Sequence, residues 1–285
     1  MDKNIVFVHR GGPESASYRY RALEPAKHVS RVNGFSCAIN GGAADIVVFS
    51  KPQAEDLVML DGAKKEGCKV VADFCDDHFT NPAFSHYKAI AQRADFVVVP
   101  TQVMAERLLE HTGRVADAVI PDAYEEDERE PHAEGEKVLW FGHNTNVKDL
   151  RKWMGNLREF DLTILTGPNL PEGVNVKKWT QQSQTEELAS NNIVFLPTRP
   201  GAEYKTNNRL LNSIRAGCFP VAAQHPSYIE FKKMVWVGDQ FTGLRWAKAF
   251  RSDLNGLVKR AQDHIREKYS PQTIGSMWAK AMEAV

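Results

Sequence analysis

Cationic and amide side chains gather in a polar stretch directly after the apolar run Ile193–Leu196. Lys205 and Arg209 are four residues apart, so in a helix that opens with Lys205 both would lie on one face near its N-terminus. The positive end of the helix dipole adds to their charge, which suits a diphosphate, and Asn212 could reach a ribose. A purely structural amphipathic helix is the alternative. The residues predicted to contact such a ligand are Arg199, Glu203, Tyr204, Lys205, Asn208, Arg209 and Asn212.

A glycine loop follows the first apolar run of the chain, Ile5–Val8. Gly11 and Gly12 have no side chain, so the backbone amides there can approach an anion or a sugar closely. The spacing is not G-x-G-x-x-G, which excludes the dinucleotide-binding fingerprint. A plain turn between a strand and a helix is the alternative interpretation.

A second glycine loop follows the apolar run Val138–Phe141. Gly142 permits a tight turn, and His143 and Lys148 flank the start of the next helical stretch. Because helix N-termini and cations both favour anions, we predict that these three residues bind a phosphate.

Three carboxylates and an imidazole lie within the six residues Asp73–His78. Asp76 and Asp77 could bind sugar hydroxyls, and with His9 they are the candidates for a general base. Capping of the following helix and a Mg²⁺ or Mn²⁺ site are the alternatives. No second cluster in the sequence completes a coordination sphere, so we expect no metal.

Short apolar runs alternate with helix-length stretches along the whole chain, which predicts an α/β protein. The runs are continuously apolar, as strands of a parallel sheet covered on both faces must be. We therefore predict two Rossmann-like domains that face each other across a cleft. The predicted strands are Ile5–Val8, Ser36–Ile39, Ile46–Phe49, Val70–Phe74, Phe96–Val99, Ala118–Ile120, Val138–Phe141, Leu162–Leu165, Val174–Val176, Ile193–Leu196, Phe219–Ala222 and Val235–Val237.

Amphipathic stretches between these runs predict the helices. Pro25 lies inside the first of them and predicts a kink or a late start there. Arg19 and Arg21, near the beginning of the same stretch, are expected on a solvated face. Helices are predicted near residues 15–32, 52–66, 83–93, 101–111, 146–159, 184–190, 205–216, 242–268 and 272–284.

The distribution of charge divides the chain. The 36 basic and 36 acidic side chains cancel, which argues against steering of the whole chain towards nucleic acid or anionic membranes. Residues 123–136 carry seven acidic side chains and one basic one, which predicts a solvated linker. We expect a first domain at 1–122, a ligand-binding domain at 137–270 with an excess of basic residues, and a terminal helix at 271–285.

The cellular compartment is predicted from two further features. The four cysteines form no C-x-x-C pair, which indicates reduced, small apolar side chains. No apolar run approaches the roughly 20 residues that span a bilayer, and the first run is too short for a signal peptide. We expect a cytoplasmic protein, with peripheral membrane contact as the alternative.

The order of several motifs resembles the GT-B-fold glycosyltransferases, the nucleotide-sugar-dependent group 1 enzymes. Each motif is loose, but their order and spacing hold over nearly the whole chain, up to a terminal helix around Trp278. The motifs are Val98–Ala105, Val119–Asp122, Leu139–Gly142, Leu162–Gly167, Ile193–Pro197 and Ala216–Ala222.

The resemblance implies a donor that is a nucleoside diphosphate sugar, such as a UDP-hexose, held by the C-terminal domain. It implies an acceptor on the N-terminal domain, mostly retaining chemistry, independence from metals and a terminal helix that returns to the first domain. By position, Gly12 would lie near the donor, His143 and Lys148 near the diphosphate, and residues 199–205 near the sugar. The family's paired glutamates fall at Tyr204 and Asn212, neither of them acidic.

The acceptor is expected to be a cell-surface glycan or a glycolipid. A modified DNA base is the alternative acceptor, disfavoured because the first domain is slightly acidic. An epimerase that acts on the nucleotide sugar and a non-catalytic sugar-nucleotide sensor are the alternative functions.

Overall fold

The computed structural model describes residues 3–32, 34–147, 150, 153–167 and 175–285. The chain folds into two compact units, each with its own sheet and core. Unit 1 comprises Met1–Ala123, Tyr204–Thr206 and Tyr269–Val285, and unit 2 comprises Tyr124–Glu203 and Asn207–Lys268. No helix in the described part of the chain is both long and apolar enough to cross a bilayer.

Unit 1 is built on a six-stranded parallel sheet in the order β2-β1-β3-β4-β5-β6. Its strands are almost wholly buried apart from β2 and β6, which explains their continuous apolar runs. The strands are β1 (Lys3–Val8), β2 (Phe35–Ile39), β3 (Ile46–Ser50), β4 (Lys69–Asp73), β5 (Phe96–Val99) and β6 (Ala118–Val119). The helices are α1 (Ala16–Tyr18), α2 (Glu24–Val29), α3 (Asp56–Lys65), α4 (His86–Arg93) and α5 (Gln102–Thr112).

The first helical stretch is irregular just before Pro25. A π-helical turn at Arg19–Leu23 joins α1 to α2. Proline has no N–H, so it cannot donate to the carbonyl of Arg21 four residues earlier. The hydroxyl of Ser50 donates to that carbonyl instead, at 2.7 Å. A side chain from β3 therefore satisfies the group that the proline leaves unpaired.

Unit 2 repeats the architecture with a second six-stranded parallel sheet, in the order β12-β11-β10-β7-β8-β9. Its strands are β7 (Lys137–Phe141), β8 (Asp161–Thr166), β9 (Asn175–Lys178), β10 (Ile193–Leu196), β11 (Phe219–Ala222) and β12 (Trp236–Val237). Its helices are α6 (Met154–Leu157), α7 (Gln181–Ser190), α8 (Asn208–Arg215), α9 (Gln240–Ala249) and α10 (Leu254–Lys268).

The predicted strands are all present to within two residues, except that Val174 lies outside the described residues. The helix predicted at 242–268 is wrong: a 3₁₀ turn at Arg251–Asp253 separates α9 from α10. Ser and Asp in this turn compete with helical backbone bonds and favour helix ends.

The acidic segment 123–136 is less solvated than its composition indicates. Tyr124, Glu126 and Ala133 are buried. Both carboxylate oxygens of Glu126 accept hydrogen bonds, one from Gln184 at 3.0 Å and one from Thr185 at 2.9 Å. Two side chains of α7 thus hold part of this segment within unit 2.

The last helix, α11 (Pro271–Glu283), packs into the core of unit 1. Trp278 is fully buried and meets the ring of Phe7 edge-on, with centroids 5.8 Å apart. A Cβ atom on Gly275 would lie 2.4 Å from the Cβ of His28, so α11 and α2 approach too closely for any side chain there.

Candidate functional site

Each sheet reverses its strand order once, between β1 and β3 in unit 1 and between β7 and β10 in unit 2. Ligands of open α/β sheets bind beside the carboxyl ends of the strands at such a reversal. The loops there begin at His9 and Lys51 in unit 1, and at Gly142 and Pro197 in unit 2. Three of these four loops are the ones that the sequence selected.

His9 directly follows β1, and both of its ring nitrogens are engaged. The amide of Gly11 donates to Nδ1 at 2.8 Å, and Nε2 lies 3.0 Å from the hydroxyl of Ser17. Burial lowers the pKa of His9 below its ordinary value. A neutral ring with both nitrogens committed is poorly placed to act as a general base. Apart from its two chain neighbours, no described residue has an atom within 4 Å of a Cβ added at Gly12.

Asp76 bridges two lysines at the carboxyl edge of unit 1. Its oxygens lie 2.5 Å from Nζ of Lys205 and 2.9 Å from Nζ of Lys51. Burial opposes ionisation, yet the two lysines lower the pKa of Asp76 to about 2. Such a carboxylate stays charged but is a weak base. Lys51, which the sequence analysis did not select, has a left-handed backbone, with φ of 53°.

Asp77 makes fewer contacts than Asp76. Its Oδ1 is buried and has no hydrogen-bond partner among the described residues. Its Oδ2 lies 3.8 Å from Nε of Arg107, beyond hydrogen-bonding distance. The neighbouring His78 stacks on Phe84, with ring centroids 3.9 Å apart. Of the two carboxylates, Asp77 is therefore the one that no lysine or arginine among the described residues holds by a hydrogen bond.

Arg21 was expected on a solvated face, and this prediction is wrong, because only 1% of its surface is exposed. Its Nη2 and Nε donate to the two oxygens of Asp73 at 2.6 and 3.0 Å, and its Nη1 donates to the carbonyl of Ile120 at 2.6 Å. Burial alone would lower the pKa of Arg21, but Asp73 raises it above its ordinary value. Arg19 is also buried and donates to the carbonyl of Pro13 at 2.7 Å.

Arg209 lies at the carboxyl edge of unit 2, in the first turn of α8. Its Nη1 donates to the carbonyl of Phe141, the last residue of β7, at 3.2 Å. A Cβ atom on Gly142 would lie 3.4 Å from that nitrogen and 3.2 Å from the ring of Trp140. Burial raises the pKa of Tyr228, while a hydrogen bond with Arg209 opposes the rise. Glycine thus leaves the guanidinium room beside the strand end.

His225 fixes the loop that follows β10. Its Nδ1 accepts from the amide of Ser227 at 3.2 Å, so its Nε2 donates to the carbonyl of Ala202 at 2.9 Å. Glu203 in the same loop accepts from the amide of Gly201 at 3.0 Å. The sequence analysis did not select His225, because its partner lies 23 residues away and no local pattern marks it.

The predicted pairing of Lys205 with Arg209 on one helical face is wrong. The helix begins only at Asn208, and the segment Tyr204–Thr206 belongs to unit 1. There the carbonyl of Tyr204 accepts from the hydroxyl of Thr101 at 3.1 Å, and Lys205 binds Asp76. The ion pair with Asp76 decides where the ammonium group lies.

Asn212 has a partner within unit 2, and its predicted contact with a ribose stays a prediction. Asn212 is buried, and its Oδ1 accepts from the amide of Glu125 at 2.8 Å. It holds the beginning of the acidic segment. His143 is exposed and caps a 3₁₀ turn through Thr145, whereas Lys148 lies outside the described residues. Arg199 and Asn208 are half-buried.

No group of three or more His, Cys, Asp or Glu side chains in the described ranges could hold a metal ion.

No protein-family model matches the sequence, and no curated protein matches it. Solved structures match its fold. HepE from Anabaena, solved with UDP and glucose, has a TM-score of 0.78 and 12% identity, over 99% of this chain and 100% of that one. A glycosyltransferase from Rickettsia africae has a TM-score of 0.68 and 12% identity, over 100% of both chains. Together with the two parallel sheets, this likeness shows the GT-B fold, with two Rossmann-like domains.

A third similar structure is larger. A mutant of TarM from S. aureus, solved with fondaparinux, alpha-GlcNAc-glycerol and UDP, has a TM-score of 0.66 and 12% identity. The match covers 83% of this chain and 55% of TarM.

Proposed function

We propose that this protein is a glycosyltransferase that moves a hexose-type sugar from a nucleoside diphosphate sugar to a hydroxyl acceptor. The acceptor that we propose is a cell-surface glycan or a glycolipid, and the anomeric configuration is retained. The observation that carries the proposal is Arg209 at the carboxyl edge of unit 2, in a fold similar to that of HepE solved with UDP and glucose.

Unit 2 would hold the donor. Transfer breaks the bond between the anomeric carbon and an oxygen of the β-phosphate while the acceptor oxygen bonds to that carbon. The electron pair leaves on the phosphate, which takes up the proton of the acceptor hydroxyl. A fixed cation lowers the energy of this developing charge without reorganisation. Arg209 is a cation held by a backbone carbonyl, and the first turn of α8 adds the positive end of a dipole. Arg199 and His143 are further candidates for contact with the phosphates.

Unit 1 would hold the acceptor, with Asp77 accepting a hydrogen bond from its hydroxyl. Retention needs no protein base. If the configuration is inverted instead, Asp77 is the base that we favour, because Asp76 has a pKa of about 2 and both nitrogens of His9 are engaged. Independence from metals and a cytoplasmic location stay predictions.

Release of nucleoside diphosphate from a panel of nucleotide sugars, with and without candidate acceptors, tests the proposal. We expect release that depends on acceptor and continues in EDTA. Conversion of a nucleotide sugar without acceptor would favour the epimerase, and binding without turnover would favour the sensor.

The Arg209→Ala variant locates the donor site within that assay. We expect kcat/KM to fall about 100-fold, the usual cost of removing one group that stabilises developing charge. Arg260→Ala, on the exposed side of α10, is the matched control and should leave turnover unchanged. Equal effects of the two substitutions would contradict a donor site at Arg209.

A further inference from the structure

His9 lies at the first strand end of unit 1, and its imidazole contacts the loop that contains both glycines. We infer that His9 is a positioning residue: the neutral imidazole holds the loop Gly11–Ser15 in the form that the structure shows, and protonation releases it.

The hydrogen bonds fix the tautomer of His9. The amide of Gly11 can only donate, so Nδ1 at 2.8 Å must carry a lone pair. In a neutral ring the proton is then on Nε2, which donates to the hydroxyl of Ser17 at 3.0 Å. That hydroxyl lies 2.9 Å from the hydroxyl of Ser15, so the chain of bonds returns to the end of the loop.

The backbone of His9 is fixed as firmly as the ring. Its amide donates to Oδ1 of Asn40, and Nδ2 of Asn40 donates to its carbonyl, both at 2.9 Å. The loop folds directly onto the ring, because a Cβ on Gly11 would lie 2.9 Å from Cε1 of His9 and 3.0 Å from Cβ of Ser15. Only glycine permits this contact.

The groups that face the ring keep it neutral. Burial, the largest cause, and the charge of Lys51, which follows β3, both lower the pKa of His9, whereas the charge of Asp56 of α3 raises it. Asp56 is itself paired with Arg10 at 2.5 Å, and Tyr18 of α1 meets the ring edge-on. Protonation would place an N–H at Nδ1 against the N–H of Gly11, so this bond must break.

Two substitutions separate the roles of the ring nitrogens. His9→Asn keeps an acceptor near the position of Nδ1 and cannot titrate. His9→Gln places its amide near the position of Nε2 and leaves the amide of Gly11 without its acceptor. His111→Asn, elsewhere in unit 1, is the control for the loss of a titrating histidine.

The decisive measurement is NMR of the full chain with labelled histidine and glycine, between about pH 7.5 and about pH 5. We expect the neutral Nε2–H tautomer for His9, and a Gly11 amide that shifts in parallel with its protonation. A ring protonated at Nδ1 near neutral pH, or a Gly11 amide that ignores the titration, would overturn the inference.

The substitutions are measured on the same Gly11 amide. In His9→Asn its chemical shift should not change between the two pH values, in His9→Gln it should differ from the wild type at both, and in His111→Asn it should titrate as in the wild type. A Gly11 amide that titrates unchanged in His9→Asn would refute the positioning role.

Discussion

The carboxyl edges of the two sheets carry charge in different ways. In unit 1 the cations are matched by carboxylates: Arg21 binds Asp73, while Lys51 and Lys205 share Asp76. In unit 2, Arg209 donates to the carbonyl of Phe141, and no carboxylate of the described residues lies within ion-pairing distance of it. Cations that are paired with carboxylates stabilise the fold, whereas a cation that has no carboxylate partner can bind an anionic ligand. The comparison predicts where substitutions damage stability and where they damage activity.

Arg21→Met should have the largest effect. It leaves the fully buried carboxyl group of Asp73 without its partner, which costs about 3–5 kcal/mol of the free energy of unfolding. Urea denaturation measures the loss, and Arg31→Met, on the exposed surface of the same unit, is the control. Arg209→Ala should change the free energy of unfolding by much less than Arg21→Met does. If Arg21→Met and Arg209→Ala lowered the free energy of unfolding by similar amounts, the two carboxyl edges would not differ in how their cations stabilise the fold.

Asp76→Asn should have an intermediate effect. The pKa of Asp76 is about 2 in the folded protein, below the ordinary 3.8, so the unfolded chain binds the proton more tightly. The stabilisation is therefore complete above about pH 4 and disappears as the pH falls towards 2, with a size of about 2 kcal/mol.

Urea denaturation of wild type and Asp76→Asn from neutral to acidic pH measures this contribution. The difference between them should shrink as the pH falls through that window. A difference that is independent of pH would mean that the lysines do not stabilise the carboxylate.

The strands could be predicted from the sequence because a buried parallel strand has a local signature. Phe195 and Val221 are buried in the sheet of unit 2, and the strand residues next to them are buried too, so each run is apolar throughout. The start of α8 could also be predicted, because Asn207 is a residue type that favours the position directly before a helix. Placing that start at Lys205 is the error that put two cations on one face.

The partners of buried polar groups could not be predicted in this way. Arg21 meets Asp73 after 52 residues and Ile120 after 99, and Lys205 meets Asp76 after 129. No periodicity or spacing links residues that only the fold brings together. The same applies to Lys51, which has a role only through Asp76.

Asp77→Asn should have the smallest effect on stability, and its effect on function should be confined to the acceptor. Because Oδ1 accepts no hydrogen bond among the described residues, the substitution breaks none there, and we expect the free energy of unfolding to change by less than about 0.5 kcal/mol. An acceptor hydroxyl that donates to the exposed part of this carboxyl group would lose its partner, so the KM for the acceptor should rise about tenfold. The KM for the donor, bound on unit 2, should not change. If the loss of stability were as large as that of Asp76→Asn and the acceptor KM did not change, Asp77 would stabilise the fold of unit 1 and would not contact the acceptor.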